Sequence, residues 1–131
     1  MAELRAWLDE RGYAPEAVEE AVARLVELGQ LDDARFARAF AGDKRDLRGW
    51  GPDRIRAALQ ARGVAGDRIA DALAADPDDE QVDRATALLR ERGGELGDEA
   101  ARGRALGFLV RRGYGSEVAY AAVRRAEREA G

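Results

Sequence analysis

The 131-residue sequence predicts an all-α protein built as a tandem array of three-helix repeats. Three observations carry that expectation. The chain is rich in Ala, Arg, Glu and Leu, all strong helix formers. No stretch alternates apolar and polar residues in the way a half-buried strand requires. A short pattern ending in glycine occurs three times, at intervals of about fifty residues, and such a period marks a repeat architecture.

The pattern reads Leu8-Asp9-Glu10-Arg11-Gly12-Tyr13, then Leu59-Gln60-Ala61-Arg62-Gly63-Val64, then Leu109-Val110-Arg111-Arg112-Gly113-Tyr114. Leu4, Ile55 or Ala105 stands four residues before each leucine, on the same helix face. Each glycine suits the left-handed position just past a helix end. The residue after it is then placed against the leucine one turn back, as in a Schellman ending. Each copy is therefore read as a helix, a glycine stop and a second helix folded back. Replacing Gly63 with Val is expected to cost about 1–2 kcal/mol, because a side chain is strained in the left-handed region.

Helix starts follow from the prolines and acidic pairs. Pro15, Pro52 and Pro77 each suit the first turn, where the missing N–H removes no bond. Asp32-Asp33 reads as the cap of a third helix in the first copy, with Leu31 and Phe36 forming a hydrophobic staple around Asp32. Asp78-Asp79-Glu80 reads as the cap of the corresponding helix in the second copy. The expectation is about eight helices in an elongated, curved array: repeat unit 1 over 1–48, unit 2 over 49–94 and a two-helix unit 3 over 95–131. Units this small cannot bury a core alone, so neighbours must stack. Gly49-Trp50-Gly51-Pro52 and Gly93-Gly94-Glu95-Leu96-Gly97 are the expected joints.

Composition removes most chemistries. There is no Cys and no His, hence no thiol or imidazole nucleophile, base or metal ligand. The one serine, Ser116, has no histidine to activate it. Neither acidic pair has the spacing of a calcium loop or stands beside a phosphate-binding glycine loop. No enzyme, no cofactor and no metal is expected. No apolar run approaches the ~20 residues of a membrane span, and no signal-peptide core follows Met1, so a cytoplasmic monomer without membrane contact is the expectation.

Charge is placed unevenly along a chain of net charge −4. Residues 1–31 carry −4, 32–75 carry +2, 76–99 carry −6 and 100–131 carry +4. A uniformly basic nucleic-acid binder is excluded, but a local basic patch is not. Arg35, Arg38, Lys44, Arg45 and Arg48 run into Trp50 and Arg54. An aromatic among arginines is a frequent feature of protein and nucleic-acid interfaces. These seven residues are the candidate partner- or DNA-binding set. Gly12, Gly51, Pro52, Gly63 and Gly113, with Asp32, Asp33 and Phe36, are read as structural.

The run Leu31-Asp32-Asp33-Ala34-Arg35-Phe36, followed by Gly49-Trp50-Gly51-Pro52-Asp53-Arg54-Ile55-Arg56-Ala57-Ala58-Leu59 and the stop at Gly63, resembles the signature of the RecX family of bacterial regulators of the RecA recombinase. A weaker resemblance covers nearly the whole chain, including the final Leu109–Val123 segment. Family members usually carry another helix before the position of Met1. The resemblance implies three-helix repeats and binding to the RecA–DNA filament. It also implies inhibition of filament extension, ATP hydrolysis and strand exchange, within recombination and SOS control. Contact with single- or double-stranded DNA is a secondary implication. The alternative from the residues alone is a sequence-nonspecific DNA-binding module acting without a protein partner.

Overall fold

The computed structural model describes residues 2–130, and among these every regular element is helical. There are seven helices: α1 Ala2–Glu10, α2 Pro15–Arg48, α3 Pro52–Ala61, α4 Gly66–Leu73, α5 Asp78–Arg92, α6 Glu99–Arg111 and α7 Ser116–Ala130. The fold is the expected helical repeat array with one helix fewer. The difference lies at Asp32. No cap or staple forms there, because α2 runs unbroken through Asp32, Asp33 and Phe36. Nothing between Pro15 and Arg48 stops it. The sequence there has no internal proline, and a helical Gly29 costs only ~1 kcal/mol relative to Ala. Phe36 is accordingly 42% exposed rather than pinned against Leu31, itself exposed. The acids at 78–80 also differ slightly from expectation. They fill the first turn of α5, and Pro77 holds the cap position without a side-chain bond.

Three glycine stops form as read. Gly12, Gly63 and Gly113 have φ of +78°, +80° and +103°. In each, the glycine N–H donates to the carbonyl three residues back, and the next residue's N–H donates to the leucine carbonyl: Tyr13 to Leu8 at 3.4 Å, Val64 to Leu59 and Tyr114 to Leu109 at 3.1 Å. This is the Schellman pair of bonds.

The chain divides into two compact units, residues 1–36 and 37–131. The first holds α1 and the opening of α2. Val18 and Val22 are its buried side chains with Ala34, α1 buries none, and Arg5 pairs with Glu19 at 3.1 Å. The second unit has two apolar clusters. Ala37 and Ala41 of α2 pack with Ile55 and Leu59 of α3 and Ile69 and Ala72 of α4. Ala85 and Leu89 of α5 pack with Ala105 and Leu109 of α6 and with Tyr114, Val118, Ala122 and Val123. Asp98 caps α6 by accepting from the Ala101 N–H at 2.7 Å, a cap the sequence reading passed over.

Candidate interaction site around the Gly49–Pro52 loop

The second unit joins its two clusters through the loop between α2 and α3. A helix end leaves its last carbonyls without partners, and a helix start leaves its first N–H groups so. Here the turn after α6, Arg112-Gly113-Tyr114, meets both needs. On the α2 side, Arg112 Nη1 donates to the Arg48 carbonyl at 3.3 Å, and the Tyr114 hydroxyl donates to the Gly49 carbonyl at 2.8 Å. On the α3 side, the Gly51 N–H donates to the Arg112 carbonyl at 2.8 Å and the Asp53 N–H to the Gly113 carbonyl at 2.9 Å. Pro52 has no N–H to satisfy. The carbonyl end of α6 thus faces the N–H end of α3, a favourable arrangement of helix dipoles.

Glycine makes this approach possible. A Cβ on Gly51 would lie 2.4 Å from the backbone carbon and oxygen of Gly113. A Cβ on Gly113 would lie 2.4 Å from Arg54 Cβ and 2.6 Å from the Arg54 nitrogen. Both contacts involve atoms fixed to the main chain, so no rotamer change relieves them.

A buried polar network backs the loop. The Asp76 side chain is fully buried and receives a two-pronged interaction from Arg84, Nη1 at 3.0 Å and Nη2 at 2.9 Å. Arg84 Nε donates to the Tyr114 hydroxyl at 2.9 Å, and Nη2 approaches the Trp50 carbonyl at 3.4 Å. Burial works against the Arg84 charge, but the hydrogen bond to Asp76 and the nearby Tyr114 and Asp76 more than offset it, holding its pKa above the ordinary arginine value. Burial pushes the Tyr114 hydroxyl up from its ordinary value, against the opposing pull of Arg84.

The seven candidate residues separate. Lys44, Trp50 and Arg54 come together: Lys44 Nζ lies 5.0 Å and the Arg54 guanidinium 4.1 Å from the half-buried Trp50 ring centre. Phe40 meets Trp50 edge-to-face at 6.3 Å and lies under Lys44 at 5.3 Å and Arg62 at 5.0 Å. The outcome is a band of alternating cations and rings, each cation–ring contact worth ~0.5–1 kcal/mol at an exposed site. Arg45 turns inward. It continues the buried stripe of Ala37 and Ala41, its side chain is 15% exposed, and its Nε lies 3.5 Å from Asp76 Oδ2. Arg38 and Arg48 are exposed on α2, and Arg35 is exposed in the first unit. The sequence reading did not assign Phe40, Arg62, Asp76 or Arg84 to the site. The Phe40–Lys44 spacing of four was a usable signal. Asp76, Arg84 and Tyr114 are too far apart in sequence to leave one.

Residues 32–73 match the RecX second three-helix domain as a family. The chain is 43% identical over 124 residues to a regulatory protein RecX of Deinococcus radiodurans, covering 94% of this chain and 59% of that protein. It is 39% identical over 128 residues to the regulatory protein RecX of Stenotrophomonas maltophilia, covering 96% of this chain and 75% of that one. The crystal structure of RecX from Lactobacillus salivarius superposes with a TM-score of 0.71 at 18% identity, over 97% of this chain and 84% of that one. At that identity the likeness speaks for the fold. No helix among the described residues is long and apolar enough to cross a membrane.

Proposed function

From its membership of the RecX family, which the matched relatives establish, we propose that the chain is a non-enzymatic regulator that binds the RecA–DNA filament and inhibits its extension, ATP hydrolysis and strand exchange. Family membership is the observation that carries this reading. The band of Lys44, Trp50 and Arg54 supports it as a contact surface, since aromatic and arginine side chains dominate interface energetics. Arg38 and Arg48 extend the surface along α2. Arg45 acts from inside, pairing with Asp76. Binding shifts a filament only if affinity differs between its states, so the protein must prefer the non-extending or disassembled form.

The test is DNA-stimulated ATP hydrolysis by RecA from the same organism, with the chain titrated in. Inhibition well below one molecule per recombinase supports the reading and places the action at filament ends or rare nucleation events. No inhibition at stoichiometric amounts sinks it. Charge reversal at Arg38, Arg48 and Arg54, with helical content retained, is expected to raise the half-inhibitory concentration at least about tenfold, the loss of a single interface hot spot or more. Unchanged inhibition would remove these residues from the contact.

Binding to bare DNA without a protein partner is the competing reading, favoured by the local arginine excess and opposed by the net charge of −4. It requires strong affinity at physiological salt and a log–log salt slope that falls by about 1 for each phosphate contact removed.

A further inference from the structure

Behind the loop, a cleft of about 400 Å3 opens between the end of α2, α5 and the turn after α6. Four arginines line it, Arg45, Arg48, Arg84 and Arg112, against two acidic residues, Asp46 and Glu91. The four have different standing. Arg84 is saturated by Asp76, Tyr114 and the Trp50 carbonyl. Arg112 spends one nitrogen on the Arg48 carbonyl. Arg48 is exposed and its side chain has no partner among the described residues. Arg45 is the unusual one: it pairs with Asp76, Nε to Oδ2 at 3.5 Å, yet its Nε and Nη2 are buried and make no hydrogen bond. Buried donors without acceptors are costly, and a charged donor more so. An anion entering the cleft would add negative charge beside a guanidinium whose carboxylate partner, Asp76, is shared with Arg84.

We propose that this cleft binds a phosphate group, with Arg45 and Arg48 as its donors and Arg112 closing the far side. They come from two elements, Arg45 and Arg48 from the end of α2 and Arg112 from the turn after α6. A tetrahedral oxyanion accepts hydrogen bonds from several sides at once, so one phosphate can engage the α2 arginines and Arg112 together. The volume falls within the range of small-molecule sites and leaves room for more than the phosphate itself. The source is either a free phosphate compound or the phosphodiester of a nucleic acid. The proposal does not depend on the RecA reading.

Calorimetric titration of the full chain with tripolyphosphate, at ionic strength held constant with chloride, tests it. Saturable one-to-one binding is expected. Arg48→Glu, an exposed change, is expected to weaken it at least about tenfold, the scale of one charge-assisted hydrogen bond replaced by repulsion. Arg45→Lys, which keeps the charge beside Asp76 but removes the fork, is expected to weaken it too. Arg128→Glu, at the exposed end of α7, is the control and is expected to leave it unchanged. Displacement of tripolyphosphate by a short oligothymidylate assigns the phosphodiester source; failure to displace assigns a free phosphate compound. Absence of saturable binding, equal binding by Arg48→Glu, or equally tight binding of pentaglutamate overturns the proposal. Loss of tripolyphosphate binding by Arg48→Glu with ATPase inhibition intact would leave both the cleft and the regulatory reading standing as separate properties.

Discussion

The turns at Gly63 and Gly113 share a local design and differ in what surrounds them. Each ends a helix with the same two backbone bonds, and each glycine has a positive φ. A Cβ on Gly63 would meet nothing within 4 Å, whereas one on Gly113 would strike Arg54 at 2.4 Å. The residues that follow diverge in the same way. Val64 sits at the edge of its cluster, while Tyr114 is 1% exposed and bonds to Gly49 and Arg84. One turn serves its own helix. The other has become the seat on which the Gly49–Pro52 loop, and with it Trp50, is held. A repeated sequence motif thus fixes the local backbone, and packing decides whether it also acts as a joint.

The comparison breaks most visibly at the joint. Gly113→Ala combines left-handed strain with a main-chain overlap and is expected to destabilise by ~3 kcal/mol or more. Denaturant unfolding measures this, and a loss no larger than that of Gly63→Ala would dissolve the distinction. Tyr114→Phe comes next. It leaves the Gly49 carbonyl and Arg84 Nε without the hydroxyl, at an expected ~1–3 kcal/mol. It also has a pH signature. The Tyr114 pKa is raised above its ordinary value of 10.0 by burial. The stabilisation this gives is complete below that value and is lost as pH rises through the folded-state pKa. Stability of the parent chain should therefore fall on the alkaline side more steeply than that of Tyr114→Phe. Gly63→Ala should cost only ~1–2 kcal/mol, the left-handed strain alone. Smallest of all is Phe36→Ala. A fully buried phenylalanine would lose ~3–5 kcal/mol, but at 42% exposure about 1 kcal/mol is expected.

Local chemistry made much of this legible in sequence. Glycine after a helical leucine pattern foretold all three stops, and Pro15 and Pro52 marked the starts of α2 and α3. Asp32 misled because a cap motif is informative only where the chain has a reason to leave the helix, and here none exists. The basic run before Trp50 was visible, but its division was not. Lys44 and Arg45 are neighbours in sequence, and only the buried stripe of Ala37 and Ala41 explains why the first lies over rings and the second faces Asp76. The Asp76–Arg84–Tyr114 network links residues up to 38 positions apart and rests wholly on tertiary packing.

The claim that the loop and the third glycine turn form one joint is tested most directly by a double-mutant cycle between Gly51→Ala and Gly113→Ala. If each alone forces the two backbones apart, the second substitution has little left to disrupt. The double variant should then be more stable than the sum of the two losses predicts, by at least ~1 kcal/mol. Additive losses would mean that the two glycines are needed for separate reasons and that the joint is not a unit.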